Sequence, residues 1–448
     1  MLELSSQNIA NALKQTSLFE GKNWVYSPDP FYLSKEQVVE LEKIGEACLK
    51  FYEGLNLLYN KIAEDKPILR NGGGESANWV LEYLQIGKPD FLLSHASSGK
   101  VRSKLPPVIR PDLLLTNEGF VMTELDSVPG GIGLTAFLYQ LYGDYPELVG
   151  SDKAIFRNFL SAMRGDRNAH LIIAVSKEAS TYKPEMEWLV SQLSSQSKIE
   201  VVEAEKLDQY VQGGCVVYRF WELFDLENLP AVKVLFEQVE NGTFSVTPPM
   251  KPQLEEKMGM ALYHHPRLNS FWHETINKRN RTILDRIVPK SWILDPTPVA
   301  ANAILLGPEI NGSPISNWSE LKNASKKDRN LILKRSGFSE DSWGSRSVSL
   351  GSDLSQLEWG EKLEEAIAAF RESPFIVQDF KKPILKEHRV YDKRGEIVVK
   401  EGRTRLCPYY FVVNGHANLS GVLATFCPSD KKIIHGMSDA ALLPCAKN

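Results

Sequence analysis

The chain has 448 residues, 43% of them hydrophobic and 24% charged, and its formal net charge is −4. This composition is typical of a globular protein, and the length predicts two or three packed units rather than a single core. The chain carries 56 acidic and 52 basic residues. That balance argues against general nucleic-acid binding, which needs a basic surface, although a local basic cluster could still bind phosphate groups.

Several features predict a protein of the cytoplasm. No run of about 18 apolar residues is present, so no membrane span is expected. The first 15 residues lack the basic start and apolar run of a signal peptide. The five cysteines are scattered and show no paired zinc-site spacing. Free thiols in a reducing compartment are therefore the simplest interpretation.

The first two segments of the chain are predicted to differ in structure. Residues 1–100 show mostly helical periodicity, and one helix is predicted to begin after Ser34, with Gln37 at the capping-box spacing. Residues 101–165 follow with a hairpin and then a helix. The stretches "DLLLT" and "FVMTEL" are typical of its two strands, and "NEG" is typical of the turn between them.

Two further segments complete the chain. Residues 166–250 alternate strand, helix, strand and strand, which predicts a small parallel α/β unit. The stretch "FSVTPPMKPQ" is typical of a linker. Residues 251–448 begin with basic helical sequence and become rich in strands, and the last of these predict an antiparallel sheet. The predicted class is therefore α+β, with α/β character in the parallel unit.

The predicted hairpin carries unusual charge. Arg110 and Asp112 lie on its first arm, and Glu124 and Asp126 lie on its second. Residues two apart on a strand point to the same face, so all four side chains can converge if the arms pair. Converging carboxylates repel one another, and Mg²⁺ would relieve that repulsion and bridge them to substrate phosphates. Arg110 then fits a phosphoryl or acyl-phosphate oxygen. The alternative is a surface hairpin with salt bridges.

A second candidate site lies in "LILKRSGFSEDSWGSRSV". The apolar strand delivers Lys334 beside a loop that contains Gly344 and Ser345. A lysine suits phosphate oxygens as a point charge, and the N–H groups of such a loop can surround them. The alternative is an exposed hairpin with a solvated lysine.

A third candidate lies at the end of the buried strand "FIVQDF". Gln378, Asp379 and Phe380 form a polar and aromatic end to this strand. Such an end suits a hinge for a flat ring, whose edge the backbone could recognise as adenine. The alternative is a core strand that reaches the surface.

Common catalytic motifs are absent from the sequence. It contains no P-loop and no nucleophile elbow. The stretch "GIGLTA" matches a dinucleotide fingerprint only weakly, because "DSVP" separates it from the preceding strand. Its glycines either expose helix N–H groups to an anion or only begin a helix.

Taken together, the motifs resemble the ATP-grasp ligases, specifically the glutathionylspermidine synthase-like group. That group is similar to a circularly permuted ATP-grasp, with its metal-binding strands early in the chain. Its motif of Arg-x-Asp followed by Glu-x-Asn and a nearby proline resembles Arg110, Asp112, Glu124 and Asp126, with Pro129 after them. Asp126 stands in place of the family's asparagine, and it also offers an oxygen to a metal.

The resemblance covers residues from about 100 to 440 and implies an ATP-grasp-like fold with antiparallel sheets and a small parallel pre-ATP-grasp unit over 166–250. The helical N-terminal region, 1–100, has no counterpart in this resemblance. The permuted core then begins with 101–165, and the nucleotide-binding lobes occupy 251–448. The residues that would bind ATP are Lys257, Lys334, Gly344, Ser345, Gln378, Asp379, Phe380 and Arg405. The residues that would bind Mg²⁺ are Asp112, Glu124 and Asp126, with Arg110 as the catalytic residue.

The implied function is an ATP- and Mg²⁺-dependent ligase that joins a carboxylate to an amine through an acylphosphate. Its partners would be a small-molecule or peptide carboxylate and an amine, with no nucleic acid and no membrane. Two alternatives stay open. One is a degenerate ATP-grasp protein that binds nucleotide or peptide without ligation, and the other is an interaction protein that binds no nucleotide.

Overall fold

The computed structural model describes residues 4–16, 18, 24–70, 77–165, 169–193, 198–298, 305–336, 338–340, 347–431, 434 and 439–448. The chain forms two compact units. Unit 1 comprises Met1–Lys50, Gly99–Pro249 and Lys382–Asn448. Unit 2 comprises Phe51–Ser98 and Met250–Lys381.

Helices dominate the first part of the chain and strands dominate its end. The α-helices are α1 Ser6–Lys14, α2 Lys35–Ala63, α3 Asn78–Gln85, α4 Asp90–Ser97, α5 Ile132–Leu141, α6 Asp152–Arg164, α7 Lys183–Leu193, α8 Pro230–Lys233, α9 Phe236–Asn241, α10 Met258–Tyr263, α11 Asn269–Thr275, α12 Lys278–Ile287 and α13 Gln356–Ala368. The strands are β1 Phe31–Leu33, β2 Val108–Thr116, β3 Gly119–Asp126, β4 Leu171–Val175, β5 Ile199–Glu203, β6 Val216–Phe220, β7 Ser245–Thr247, β8 Ser291–Ile293, β9 Glu309–Ile310, β10 Ser313–Pro314, β11 Leu331–Arg335, β12 Val348–Leu350, β13 Phe375–Asp379, β14 Lys386–Tyr391, β15 Ile397–Val413, β16 His416–Pro428 and β17 Ala441–Lys447.

A large mixed sheet forms the centre of unit 1. Its strand order is β1-β17-β16-β15-β2-β3, and β14 also pairs with β15. The pairs β14–β15, β15–β16 and β16–β17 are antiparallel, which confirms the antiparallel sheet predicted for the end of the chain. Helix α2 packs closely on this sheet, because a Cβ at Gly45 would lie 2.2 Å from the ring of Tyr410.

A smaller parallel sheet also belongs to unit 1. Its order is β5-β4-β6-β7, and every neighbouring pair is parallel. The predicted parallel α/β unit is thus confirmed, with α7 as the connection between β4 and β5. The prediction of a linker at "FSVTPPMKPQ" is wrong in part, since Ser245–Thr247 forms β7. Three residues are too few to show a period of two, and the prolines that follow dominate the local pattern.

Unit 2 contains an antiparallel sheet of order β12-β11-β13-β8. Apolar residues of β11 and β13 pack on helix α13, where Trp359 is fully buried with Leu333 and Val377. This arrangement fixes β11, which carries Lys334, and β13, which ends in Asp379.

The start of helix α2 agrees with its predicted cap. The N–H of Gln37 donates to Ser34 Oγ at 3.3 Å, and the N–H of Ser34 donates to Gln37 Oε1 at 2.9 Å. These two bonds form a capping box, which satisfies groups that the first helical turn leaves without partners. Of the helices the structure describes, α2 included, none is long and apolar enough to cross a membrane.

The units do not coincide with the four continuous segments that the sequence predicts. Residues 1–100 are divided between the units, because Phe31–Leu33 pairs in parallel with β17 in the sheet of unit 1. Residues 251–448 are divided as well, since β14 to β17 belong to unit 1. Both segments are divided because strands that are far apart in the chain pair with each other. The local periodicity of the sequence does not predict such pairing.

A buried histidine makes unit 1 sensitive to acid. His388 on β14 is 7% exposed, and its Nε2 lies 2.9 Å from Ser27 Oγ. Burial lowers the pKa of His388 from 6.5 to about 4. The unfolded chain therefore takes up this proton at higher pH than the folded chain, so stability is lost as the pH falls through this range.

We expect the free energy of unfolding to fall by about 2 kcal/mol between pH 7 and pH 5 because of His388 alone. Urea denaturation at both pH values gives the decrease in the free energy of unfolding for the wild type and for His388→Gln. The difference between the two decreases is the contribution of His388. His416→Gln removes an imidazole whose side chain is 78% exposed and serves as the matched control. Equal losses in the wild type and His388→Gln would contradict the assignment.

Candidate functional site

The predicted hairpin is present, and it brings its four charged residues together. Strands β2 and β3 pair so that Arg110 faces Asp126 and Asp112 faces Glu124. The side-chain alternation of the two strands thus places all four at one end of the hairpin, as the pattern indicates.

Arg110 is the centre of this group. Its Nε lies 3.2 Å from Asp112 Oδ1, and its Nη2 lies 3.0 Å from Asp126 Oδ2. Its Nη1 also donates to the carbonyl oxygen of Gly130 at 3.2 Å. Burial would lower the pKa of Arg110, but Asp112 and Asp126 raise it well above its ordinary value. The guanidinium therefore stays charged and bridges two carboxylates.

A second arginine reaches the same carboxylate from β15, which pairs with β2. Arg405 Nη1 lies 2.9 Å from Asp112 Oδ2, and the Cys407 thiol donates to Asp112 Oδ1 at 3.3 Å. Burial raises the pKa of Cys407 to about 12, so the thiol keeps its proton. We call Arg110, Asp112, Glu124, Asp126 and Arg405 the hairpin cluster. Arg405, which the sequence predicts to bind phosphate, pairs with a carboxylate in this structure.

The predicted Mg²⁺ site does not fit the hairpin cluster as it is arranged. Both oxygens of Asp112 are bonded, and those of Asp126 accept from the N–H of Val128 at 2.8 Å and pair with Arg110. Within the described ranges, no group of three or more His, Cys, Asp and Glu residues could hold a metal ion. The physical reason is that two arginines already supply the positive charge that converging carboxylates require.

The glycines of "GGIGLTA" have a packing role. Gly131 caps helix α5 with a φ of +91°, and a Cβ there would lie 2.4 Å from the Tyr409 hydroxyl. Its N–H donates to Glu185 Oε1 at 2.7 Å, and Tyr409 donates to the Gly130 carbonyl at 2.6 Å. The Glu185 carboxylate therefore occupies the start of α5, for which the sequence allowed either an anion site or a simple helix start. Sequence reasoning missed Glu185 and Tyr409, because neither stands in a recognisable motif.

In unit 2, the side chain of Lys334 is hydrogen-bonded to the neighbouring strand β13. Its side chain is buried, and Nζ donates to Gln378 Oε1 at 2.7 Å. Gln378 Nε2 in turn donates to Ser291 Oγ at 2.9 Å and lies 3.6 Å from Met260 Sδ. The structure therefore brings two of the predicted nucleotide residues into contact. Gly344 and Ser345 lie outside the described residues.

The residues of the predicted adenine hinge are hydrogen-bonded to other residues of unit 2. The N–H of Phe380 donates to the Asn330 carbonyl at 3.0 Å, and the Phe380 carbonyl accepts from Asn330 Nδ2 at 3.1 Å. The N–H of Asp379 donates to the Lys290 carbonyl at 2.9 Å. Burial raises the pKa of Asp379. These backbone N–H groups are thus not free for an adenine ring, because the strand end is paired with neighbouring chain.

Lys257 directly precedes helix α10 and is partly exposed. Its neighbour Glu256 forms an ion pair with Lys88, in which both side chains are at most 2% exposed. Ser336, the residue after β11, donates to Glu256 Oε2 at 2.5 Å and accepts from the N–H of Met258 at 2.8 Å. A buried polar network therefore lies between the starting point of α10 and the end of β11.

No protein-family model matches the sequence, and no curated protein matches it. Solved structures do match. A glutathione synthetase-like effector (GSS30) from Globodera pallida, in its apo form, is 13% identical, with a TM-score of 0.50 over 98% of this chain and 96% of the effector. The chain shares the fold of that effector.

A second matching structure is a putative gamma-glutamylcysteine synthetase from Methylobacillus flagellatus KT. It is 11% identical, and the match covers 81% of this chain and 86% of the synthetase chain, with a TM-score of 0.41. The fold shared with the effector agrees with the predicted mixture of helices with parallel and antiparallel sheets.

Proposed function

We propose that the protein is an ATP-dependent ligase that joins a carboxylate to an amine. One observation carries the proposal. Strand β11 presents a buried lysine, Lys334, whose ammonium is directed by Gln378, in a chain with the fold of a glutathione synthetase-like effector. A lysine fixed in this way suits the phosphate oxygens of a nucleotide.

The proposed reaction begins when a substrate carboxylate oxygen attacks the γ-phosphorus of ATP and ADP leaves. An amine then attacks the carbonyl carbon of the acylphosphate and inorganic phosphate leaves, which forms the amide bond. Lys257 and Lys334 would neutralise charge on the nucleotide phosphates. No side-chain nucleophile is required, in agreement with the absence of nucleophile motifs in the sequence. No step is assigned to a protein-bound metal, because the hairpin cluster does not fit one.

A second candidate function is nucleotide or peptide binding without ligation. The observation that favours it is the hairpin cluster, in which Arg110 and Arg405 already neutralise Asp112. A phosphoryl oxygen would therefore have to compete with Asp112 and Asp126 for the charge of Arg110. A protein in which the carboxylates keep that charge would bind ATP and release no phosphate.

Thermal unfolding with MgATP, with ATP and chelator, and with NAD tests the proposal first. We expect ATP at about a hundred times its dissociation constant to stabilise the folded state by about 2.7 kcal/mol. The chelator sample shows whether Mg²⁺ is required, and NAD is the control for the weak dinucleotide fingerprint. Phosphate release on addition of acid and amine mixtures supports ligation, whereas stabilisation without any phosphate release supports the second candidate. If ATP does not stabilise the protein at all, the ligase proposal and the nucleotide-binding form of the second candidate are both wrong.

A further inference from the structure

We infer that the buried hydrogen bond from Ser336 to Glu256, whose carboxylate also pairs with Lys88, positions Lys257 and Lys334 for a nucleotide. Glu256 is the positioning residue at the centre of this network. The inference rests on the proposed function, because it assigns these residues to the binding of ATP phosphates.

Glu256 connects two separate segments through its two oxygens. Oε1 pairs with the ammonium of Lys88, and Oε2 accepts from Ser336 Oγ at 2.5 Å. The side chains of Lys88 and Glu256 are 1% and 2% exposed, and Ser336 is fully buried. Hydrogen bonds in such a dry environment are strong and directional, so the carboxylate can move little.

Ser336 transmits this position to helix α10. Its Oγ accepts from the N–H of Met258, the first residue of α10, at 2.8 Å. Its own N–H donates to the Pro374 carbonyl at 2.8 Å. Lys257 lies between Glu256 and Met258, so the residues on both sides of it are bonded to the same buried serine.

Lys88 is itself held in a tight turn between α3 and α4. Gly87 has a φ of +70°, and a Cβ there would lie 2.0 Å from the Glu372 carbonyl oxygen. Such a position accepts only glycine. The ammonium of Lys88 also donates to the Ile86 carbonyl at 3.4 Å. The backbone that carries Lys88 is therefore fixed in position relative to Glu256.

The same network reaches the second nucleotide lysine. Gln378 accepts from Lys334 Nζ at 2.7 Å and directs its own Nε2 towards Met260 Sδ in α10, at 3.6 Å. Lys334 also lies two residues before Ser336. Lys257 and Lys334 thus lie on two segments, the start of α10 and the end of β11, that the same buried hydrogen bonds hold together.

A buried ion pair is weak evidence for stability, because desolvation of both ions offsets their attraction. Its effect on geometry is more specific, since Glu256 contacts Lys88 through one oxygen and Ser336 through the other. We therefore expect nucleotide affinity to depend on the acceptor for Ser336 more than on the charges.

Two double variants that differ only in that acceptor test this inference. Lys88→Met with Glu256→Gln removes both charges and keeps an oxygen for Ser336, whereas Lys88→Met with Glu256→Leu removes the oxygen as well. Ser336→Ala, in the otherwise wild-type chain, deletes the same bond together with the bond from the Met258 N–H, and it leaves the ion pair in place. Each is measured by titration with ATP and by thermal unfolding without ligand.

We expect the glutamine variant to bind ATP within about threefold of the wild type, and the leucine and Ser336→Ala variants to bind it at least about tenfold more weakly. A folded leucine or Ser336→Ala variant with wild-type affinity would overturn the inference, because the network would then be merely structural. If the leucine variant does not fold, Ser336→Ala decides alone. A wild type that does not bind ATP would instead refute the proposed function, so the two failures can be told apart.

Discussion

Replacing Asp112 by asparagine is expected to lower the free energy of unfolding by about 3–5 kcal/mol, the cost of removing one partner from a buried ion pair. Asp112 is 4% exposed and receives contacts from Arg110, Arg405 and Cys407. Asparagine keeps the shape but loses the charge, and its amide hydrogens would face a guanidinium. Chemical denaturation of both proteins under identical conditions measures the effect.

Asp126→Asn is the matched control for this variant. Asp126 pairs with the same arginine, but its side chain is 31% exposed, so water can replace part of the lost interaction. We expect this change to cost about 1 kcal/mol or less. If Asp112→Asn is no more destabilising than Asp126→Asn, the hairpin cluster does not act as a buried charge network.

Replacing Lys334 by methionine is expected to weaken ATP binding about 10- to 100-fold, because a hydrogen bond to a charged group contributes about 1.5–3 kcal/mol. Methionine has nearly the length of lysine and fills the same buried site, so the strand that carries it should keep its packing. Titration with ATP, combined with unfolding of the unliganded variant, separates an effect on binding from an effect on folding.

The control is the same substitution at Lys362 on helix α13. Lys362 is 51% exposed and pairs with Glu365 three residues away, so its loss should leave ATP affinity within about twofold, as for a surface ion pair of little energetic weight. Equal affinities for the Lys334 and Lys362 variants would remove Lys334 from the nucleotide site.

The elements that the sequence predicts well are those with a strong local pattern. The hairpin β2–β3, the cap of α2 and the parallel strands β4 to β6 each have their period or turn chemistry within one short stretch. Strand β1 could not be predicted in this way, because its three residues acquire their partner only in β17. The division of the chain into its two units depends on such distant pairings.

The hairpin cluster shows the same limit at the level of chemistry. The period of a strand predicts that Arg110, Asp112, Glu124 and Asp126 share an end of the hairpin, and they do. It does not predict which cation neutralises them. Arg405 lies 293 positions from Asp112, and only the pairing of β15 with β2 brings them together. Likewise, the backbone bonds of Phe380 depend on Asn330, which no local pattern connects to it.

The pairing of β1 with β17 has a consequence for synthesis on the ribosome. Phe31 pairs with Cys445, so about 410 residues of chain are translated between the two partners. At about 5–20 residues per second, roughly 20–80 s separate the two. During that interval β1 is without its native partner strand, so its apolar side chains Phe31 and Leu33 lack the neighbours that bury them in the folded chain.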